Sequence, residues 1–295
     1  MVAYFCAVEL SYITEDSINQ FIVRALQEDV GVGTLAGDHS TLASIDASAT
    51  DHARLIIKGD GIIAGVELAG HIFAKVDADL EVEFQIKDGD SVKYGDIGLY
   101  VKGKAQSILT AERLVLNCMQ RMSGIATYTN QMVKLIEGTK ARLLDTRKTT
   151  PNFRMMEKWA VVIGGGVNHR YGLYDMVMLK DNHVDYSGGI TNAVSKTRTY
   201  LKEKGLDLKI EVETRNLEEV KEALGCGVDR IMLDNMSVEQ MTKAVQIING
   251  KSEVEASGGI TEETIRPIAE TGVDYISVGA LTHSYTSLDI SLKAV

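Results

Sequence analysis

Between Arg147 and Arg170 lie five lysines or arginines and a single acid, Glu157, in a chain whose formal net charge is -10. Like charges gathered in this way raise the free energy of a fold unless an anion offsets them. Arginine offers a planar fork that matches a carboxylate or phosphate with two hydrogen bonds, and lysine a compact charge. Arg147 and Lys148 close the apolar run "RLLD" just before Pro151 and are read as an anion site. Arg154 and Lys158 fall in a helical pattern with Glu157 and are expected to pair along a solvated helix face. Gly164-Gly165-Gly166, followed by Asn168, His169 and Arg170, suggests a concave nest of backbone N–H groups for the same anion. His169 alone reads either as a donor to a ligand carboxylate or as a histidine bonded within the fold.

The acids have their own pattern. Glu211, Glu213 and Asp234 lie at or near the ends of two apolar runs, and alternation puts Glu211 and Glu213 on the same side of their strand. Such carboxylates either neutralise the basic cluster or hold a hydrated Mg²⁺ that arrives on a phosphate ligand. "EASGGI" and "ISVGA" give two successive glycine turns suited to binding phosphate through backbone N–H groups. The chemistry implied is that of an enzyme whose substrates carry several negative charges, one of them a phosphate ester.

These residues need a scaffold that brings distant positions to one face. From Arg142 onward the runs "RLLD", "DMVMLK", "LKIEVE", "RIMLD", "EVEAS" and "DYISVG" alternate with helix-length segments. Continuous apolarity suits parallel strands covered on both faces, and polar or glycine residues at their ends would line the mouth of an α/β barrel. Before that, Thr14 is a plausible N-cap for an amphipathic helix carrying Ile18, Phe21, Ile22, Ala25 and Leu26. "ARLIIKGDGIIAG" and "LEVEFQIKDGDSVKYGDIGLYVKGKA" predict antiparallel strands broken at Asp-Gly and Gly-Asp turns. Two helical patterns follow, "LTAERLVLNCMQRMSGIA" and "TYTNQMVKLIEG", and the domain boundary is placed near Val115.

A surplus of acid repels phosphodiester backbones and anionic membranes, so neither nucleic acid nor a lipid surface is an expected partner. Cys6, Cys118 and Cys226 are odd in number and widely spaced, which predicts buried thiols in a reducing compartment. The opening "MVAYFCAVELSYITEDS" lacks the basic start of a targeting segment, and a cytoplasmic protein is expected.

"LLDTRKTTP", "EKWAVVIGGGVNHRYGLYDMVMLKDNH", "IEVE", "IMLDN", "EASGGI" and "SVGALTHSYTSLDIS" together resemble the quinolinate phosphoribosyltransferase family, as do "ALQEDVGVG" and "TAERLVLNCMQRMSGIAT". The resemblance implies phosphoribosyl transfer from phosphoribosyl pyrophosphate (PRPP) to quinolinate with decarboxylation, giving nicotinate mononucleotide, pyrophosphate and CO₂ for NAD synthesis. It implies an N-terminal α/β sandwich, residues 1–115 joined by 285–295, beside an incomplete seven-stranded α/β barrel, residues 116–284. The quinolinate site would be Arg113, Arg147, His169, Arg170 and Lys180, with Arg113 supplied by the partner in a homodimer. The PRPP and Mg²⁺ side would be Lys148, Glu213, Asp234, Ser257, Gly258, Gly279 and His283, with Lys148, Glu213 and Asp234 catalytic and Glu213 and Asp234 on the metal. Asn152 stands where the family has glycine, Trp159 where tyrosine is common and Val167 where lysine is common. Rival readings are a barrel aldolase using Lys148 or Lys180 as a Schiff base, a relative acting on another base such as the molybdenum-associated proteins of this fold, and a silent sensor of pyridine carboxylates or PRPP.

Overall fold

The computed structural model describes residues Leu10–Val295. Cys6 and most of the apolar opening segment lie outside them. No helix among the described residues is long and apolar enough to cross a membrane. The chain divides into two compact units, the first containing residues up to Asn130, Thr149–Gly165 and Ser284–Val295, the second Gln131–Lys148 and Gly166–His283.

In the first unit, α1 (Glu15–Val30) starts at Thr14, whose side chain accepts from the Ser17 amide while Ser17 returns a bond to the Thr14 backbone. Its buried Ile18 and Ile22 face α3 (Val66–Val76), and α2 (His39–Ser44) lies between them in sequence. The strands β1 (Thr50–Ile57), β3 (Glu81–Phe84), β5 (Ile97–Lys104) and β12 (Ile290–Ala294) form an antiparallel sheet in the order β12-β1-β5-β3. A separate pair is made by β2 (Gly61–Ile62) and β4 (Ser91–Val92). Register runs from Ala53↔Ala294 to Ile57↔Ile290, so the last strand of the chain completes a sheet begun near its start.

The two helical patterns expected after β5 are one helix, α4 (Ala105–Leu135), of 31 residues. Nothing between them breaks it: Gly124 is the sole interruption, and a Cβ there would run into the backbone of Thr286 and Ser287. Its glycine is kept for close approach rather than for a turn. The segment around α5 (Arg154–Ile163) also belongs to this unit, and the solvated ion-pair face expected of it is absent, because Glu157 and Lys158 are fully buried. Glu157 takes the Arg121 guanidinium, with Nε 3.1 Å and Nη2 2.5 Å from Oε1, and its Oε2 accepts from the Thr150 amide at 3.0 Å. Arg121 also bonds Thr150 and lies between the rings of Phe153 and Tyr285, 5.3 and 5.1 Å from their centroids. Arg154 instead donates to Thr149 at 2.9 Å.

The second unit is a parallel sheet in the order β6-β11-β10-β9-β8-β7, made by β6 (Arg142–Leu144), β7 (Val177–Leu179), β8 (Ile210–Thr214), β9 (Arg230–Asp234), β10 (Glu253–Ser257) and β11 (Tyr275–Ser277). All six correspond to the apolar runs read from the sequence. Leu144 also bridges Val167 in parallel, so the seventh position is held by a single residue, as befits an incomplete barrel. The connections carry α6 (Asp181–Ser187), α7 (Ile190–Lys204), α8 (Leu217–Gly225), α9 (Val238–Ile248), α10 (Ile265–Glu270) and α11 (Ala280–His283). Val212, Ile231, Leu233, Val254, Ala256 and Ile276 are buried under these helices, which is why the strands read as unbroken apolar runs. Cys118 is buried and its thiol is pushed up to about 12 by burial, whereas Cys226, at the end of α8, is partly exposed and departs from the expected burial.

Arg121→Ala leaves the Glu157 carboxylate buried without its cation and is expected to lower stability by about 3 kcal/mol. Urea unfolding would read this as a lower midpoint, and Arg121→Lys, which keeps charge without the fork, should fall between.

Candidate active site

The carboxyl ends of the parallel strands bring most of the predicted residues of the second unit to one rim. Lys180 follows β7, Glu213 lies near the end of β8, Asp234 ends β9, Ser257 ends β10, and Gly279 follows β11. Ser257 and Asp234 are direct partners across β10 and β9. Lys180 Nζ lies 3.5 Å from Glu213 Oε2. Burial raises the Glu213 pKa; Lys180 works against this and the neighbouring Asp234 adds to it. Glu213 and Asp234 thus stand near enough to feel each other's charge, and both offer the oxygen ligands that a hydrated Mg²⁺ takes.

Beyond β6, Lys148 returns to the same rim. Its carbonyl accepts from Thr282 at 2.8 Å, and a Cβ added to Gly279 would meet Lys148 Cδ at 3.0 Å and His283 Nε2 at 3.1 Å. Gly258 has φ +103 and would drive any Cβ into Asn235, so both glycines are required by the close approach of their neighbours at the rim. Arg147 and Lys148 are exposed, Arg170 half-buried. Arg170 has its proton affinity lowered first by burial and then by Arg147 beside it, with Glu211 and Asp175 acting the other way. Its Nη1 donates to the Met176 carbonyl at 3.2 Å and its Nη2 to Met178 Sδ at 3.6 Å. Arg113 belongs to the first unit, where it is exposed on α4.

His169 differs from the rest. Its ring is buried, with Nε2 3.1 Å from Glu211 Oε2 and 3.3 Å from Glu255 Oε2, while Nδ1 accepts from the Arg170 amide at 2.6 Å. It therefore turns inward, beneath the rim. Arg230 backs Glu255 at 3.0 Å and Glu253 at 3.0 Å and stacks over Tyr275, 4.2 Å from the ring centre. One nitrogen and two carboxylates at this spacing resemble a cation site. Arg230, however, already supplies a positive charge to Glu255, and the ring supplies a second. Burial alone would lower the His169 pKa, but the two carboxylates outweigh it and raise it to about 9. Glu211 is raised by burial and by Glu255, while His169 and Arg230 act the other way, so the two acids and the ring titrate as a unit.

The triple glycine serves packing. Gly164 and Gly165 donate their amides to Ala160 and Val162, ending α5, and a Cβ on Gly164 would lie 2.5 Å from the Ala126 carbonyl. With those amides committed, the expected anion nest is not formed there. Asn152 has φ +63, the left-handed region that explains glycine in relatives and which asparagine tolerates among the larger residues.

Sequence reasoning noted Asp145 at a strand end without a role and missed Arg230 and Glu255. Asp145 is buried and accepts from the His169 amide at 2.8 Å and from Asn168 Nδ2 at 2.6 Å. The available signal was charge in covered strands: Glu255 lies inside β10 and Arg230 opens β9.

Profiles of two family domains match this chain, quinolinate phosphoribosyl transferase N-terminal domain over residues 38–123 and C-terminal domain over 125–293. The chain belongs to the quinolinate phosphoribosyltransferase family. Its relatives include the chloroplastic nicotinate-nucleotide pyrophosphorylase (carboxylating) of Arabidopsis thaliana, 50% identical over 92% of this chain and 81% of that one. Quinolinate phosphoribosyltransferase (decarboxylating) 1b of Nicotiana tabacum is 45% identical over 97% and 89%. Among solved structures, NadC from Streptococcus pyogenes superimposes with a TM-score of 0.89 at 40% identity, covering 96% of this chain and 99% of that one. Within this quinolinate phosphoribosyltransferase chain the rim residues and the buried cluster are therefore features of a catalytic domain of known family.

Folding lifts the His169 pKa from 6.5 to about 9, so its contribution to stability is complete below pH 6.5 and is lost as the pH rises through 9. Thermal unfolding midpoints measured from about pH 6 to about pH 10 should fall more steeply for the natural chain than for His169→Gln.

Proposed function

We infer that this protein joins the phosphoribosyl group of PRPP to the ring nitrogen of quinolinate and releases pyrophosphate and CO₂, leaving nicotinate mononucleotide for NAD synthesis. Family membership over both domains supports the reading. The observation within the molecule that carries it is the pairing of Arg147 with Arg170 at the same rim as Lys148 and Lys180. Quinolinate brings two carboxylates and PRPP several phosphate charges, and the repulsion between them has to be offset before they can meet.

Arg147, Arg170 and Lys180 take the pyridine dicarboxylate, and Arg113 completes that site from a partner subunit. Its exposure on α4 suits such a role. Lys148, Ser257, the bare backbone at Gly258 and Gly279, and His283 take the phosphates. Glu213 and Asp234 would hold Mg²⁺, which when bound would neutralise the leaving pyrophosphate. With both substrates fixed, the pyridine nitrogen forms its bond to ribose C1 as the C1–oxygen bond to pyrophosphate breaks. Positive charge develops on the ribose through an oxocarbenium-like transition state, and the rim carboxylates steady it. The product pyridinium nitrogen is cationic. When the C2 carboxylate departs as CO₂, the electron pair left on C2 is stabilised by that charge, and a proton from solvent completes the ring. No covalent bond to the protein forms, which distinguishes this route from Schiff-base chemistry at Lys148 or Lys180. The unpaired cysteines support a reducing compartment such as the cytoplasm.

CO₂ release from quinolinate, PRPP and Mg²⁺ tests the reading directly. Arg147→Ala is expected to raise the KM for quinolinate about a hundredfold, the worth of a lost charge-assisted fork, and near-normal kinetics would sink the assignment. Mixing inactive Arg113→Ala and Lys148→Ala proteins under subunit exchange should restore about a quarter of normal activity if each dimeric site uses both chains. Independent sites would restore none.

A further inference from the structure

We propose that Glu211, Glu255 and Arg230 are positioning residues for quinolinate, acting through His169 to aim Arg170. The inference rests on the reading of Arg170 as a quinolinate ligand. All three charged groups are buried where apolar side chains would pack without a desolvation cost, so their presence answers to geometry rather than to stability.

The chain of contacts has no slack. Arg230 is fixed by Glu253, to which its Nε and Nη2 donate at 3.2 and 3.0 Å, and by the face of Tyr275. Its remaining arm, Nη1, holds Glu255 Oε2 at 3.0 Å. Glu255 and Glu211, from neighbouring positions on either side of β9, confine His169 Nε2 between them. That confines the imidazole, and Nδ1 on its far edge lies 2.6 Å from the Arg170 amide nitrogen. Asp145, just past β6, holds the preceding peptide through the His169 amide, and the Asn168 side chain as well. The backbone on both sides of residue 169 thus meets groups set by buried acids after β6 and on β8 and β10. Only the Arg170 side chain leaves the cluster, and it leaves toward Arg147. A residue whose position depends on a confined imidazole inherits its accuracy, in the way that outer contacts orient the groups they support.

The test separates aim from folding. Glu211→Leu removes the acceptor at similar volume, and binding of quinolinate and of PRPP is measured separately by calorimetry alongside the steady-state constants. Quinolinate affinity should fall about tenfold, the scale on which outer contacts act, with the quinolinate KM rising in step, kcat changing less, and PRPP affinity held within about twofold. Glu211→Gln, which retains an oxygen acceptor, should recover most of the loss. Equal loss of both substrates, or none of either, overturns the proposal. If Glu211→Leu does not fold, Arg230→Lys carries the same expectation, because it keeps the charge and gives up the fork and the stacking. Arg170→Ala is run in parallel: should it bind quinolinate normally, the assignment of Arg170 falls and this inference with it. Should Arg170→Ala lose quinolinate while folded Glu211→Leu and Arg230→Lys retain it, only the positioning role is lost.

Discussion

Gathering like charges at one rim is the condition on which the second unit is built. Arg147 and Arg170 disturb each other, while Glu213 lies against Lys180, Glu255 against Arg230, and Asp145 takes the His169 amide and the Asn168 side chain. Short parallel strands set this spacing, because each fixes its terminal residue at one height on the rim and directs alternate side chains to one side. Glu211 and Glu213 share one side of β8 and differ in height: Glu213 lies near the rim, and Glu211 is fully buried two residues deeper.

Much of this arrangement was legible before any coordinates. The six parallel strands were visible because burial on both faces removes polar residues from the middle of each run, leaving chemistry at the ends. The rim residues Arg147, Lys180, Glu213 and Asp234 were found for that reason. What escaped was set by contacts between positions far apart in sequence. Nothing local distinguishes Lys158, fully buried, from an ordinary helix-surface lysine. The break expected within α4 failed because a glycine seen in isolation reads as a helix weakness, while its space is filled by the backbone of Thr286. The triple glycine misled in a related way, since its amides terminate α5 instead of facing an anion.

His169 shows how a residue type can be read correctly as important and wrongly in direction. A histidine beside an arginine in a glycine-rich stretch invites a ligand role, but the ring lies in the strand interior, with Nε2 3.1 and 3.3 Å from two buried carboxylates and Nδ1 against the Arg170 amide. The resulting cluster pairs acids with bases across β8, β9 and β10, which lets charged groups occupy a space where a single unpaired one would be prohibitive.

The strand Ile290–Ala294 lies along β1 although more than two hundred residues of chain intervene between them. The edge of β1 therefore stays open throughout synthesis of the second unit, and the sheet closes only once residues 290–294 have emerged. Until then the nascent protein displays an unfilled hydrogen-bonding edge of the type that recruits foreign strands. Chain growth, and not only the finished sequence, sets how long that hazard lasts.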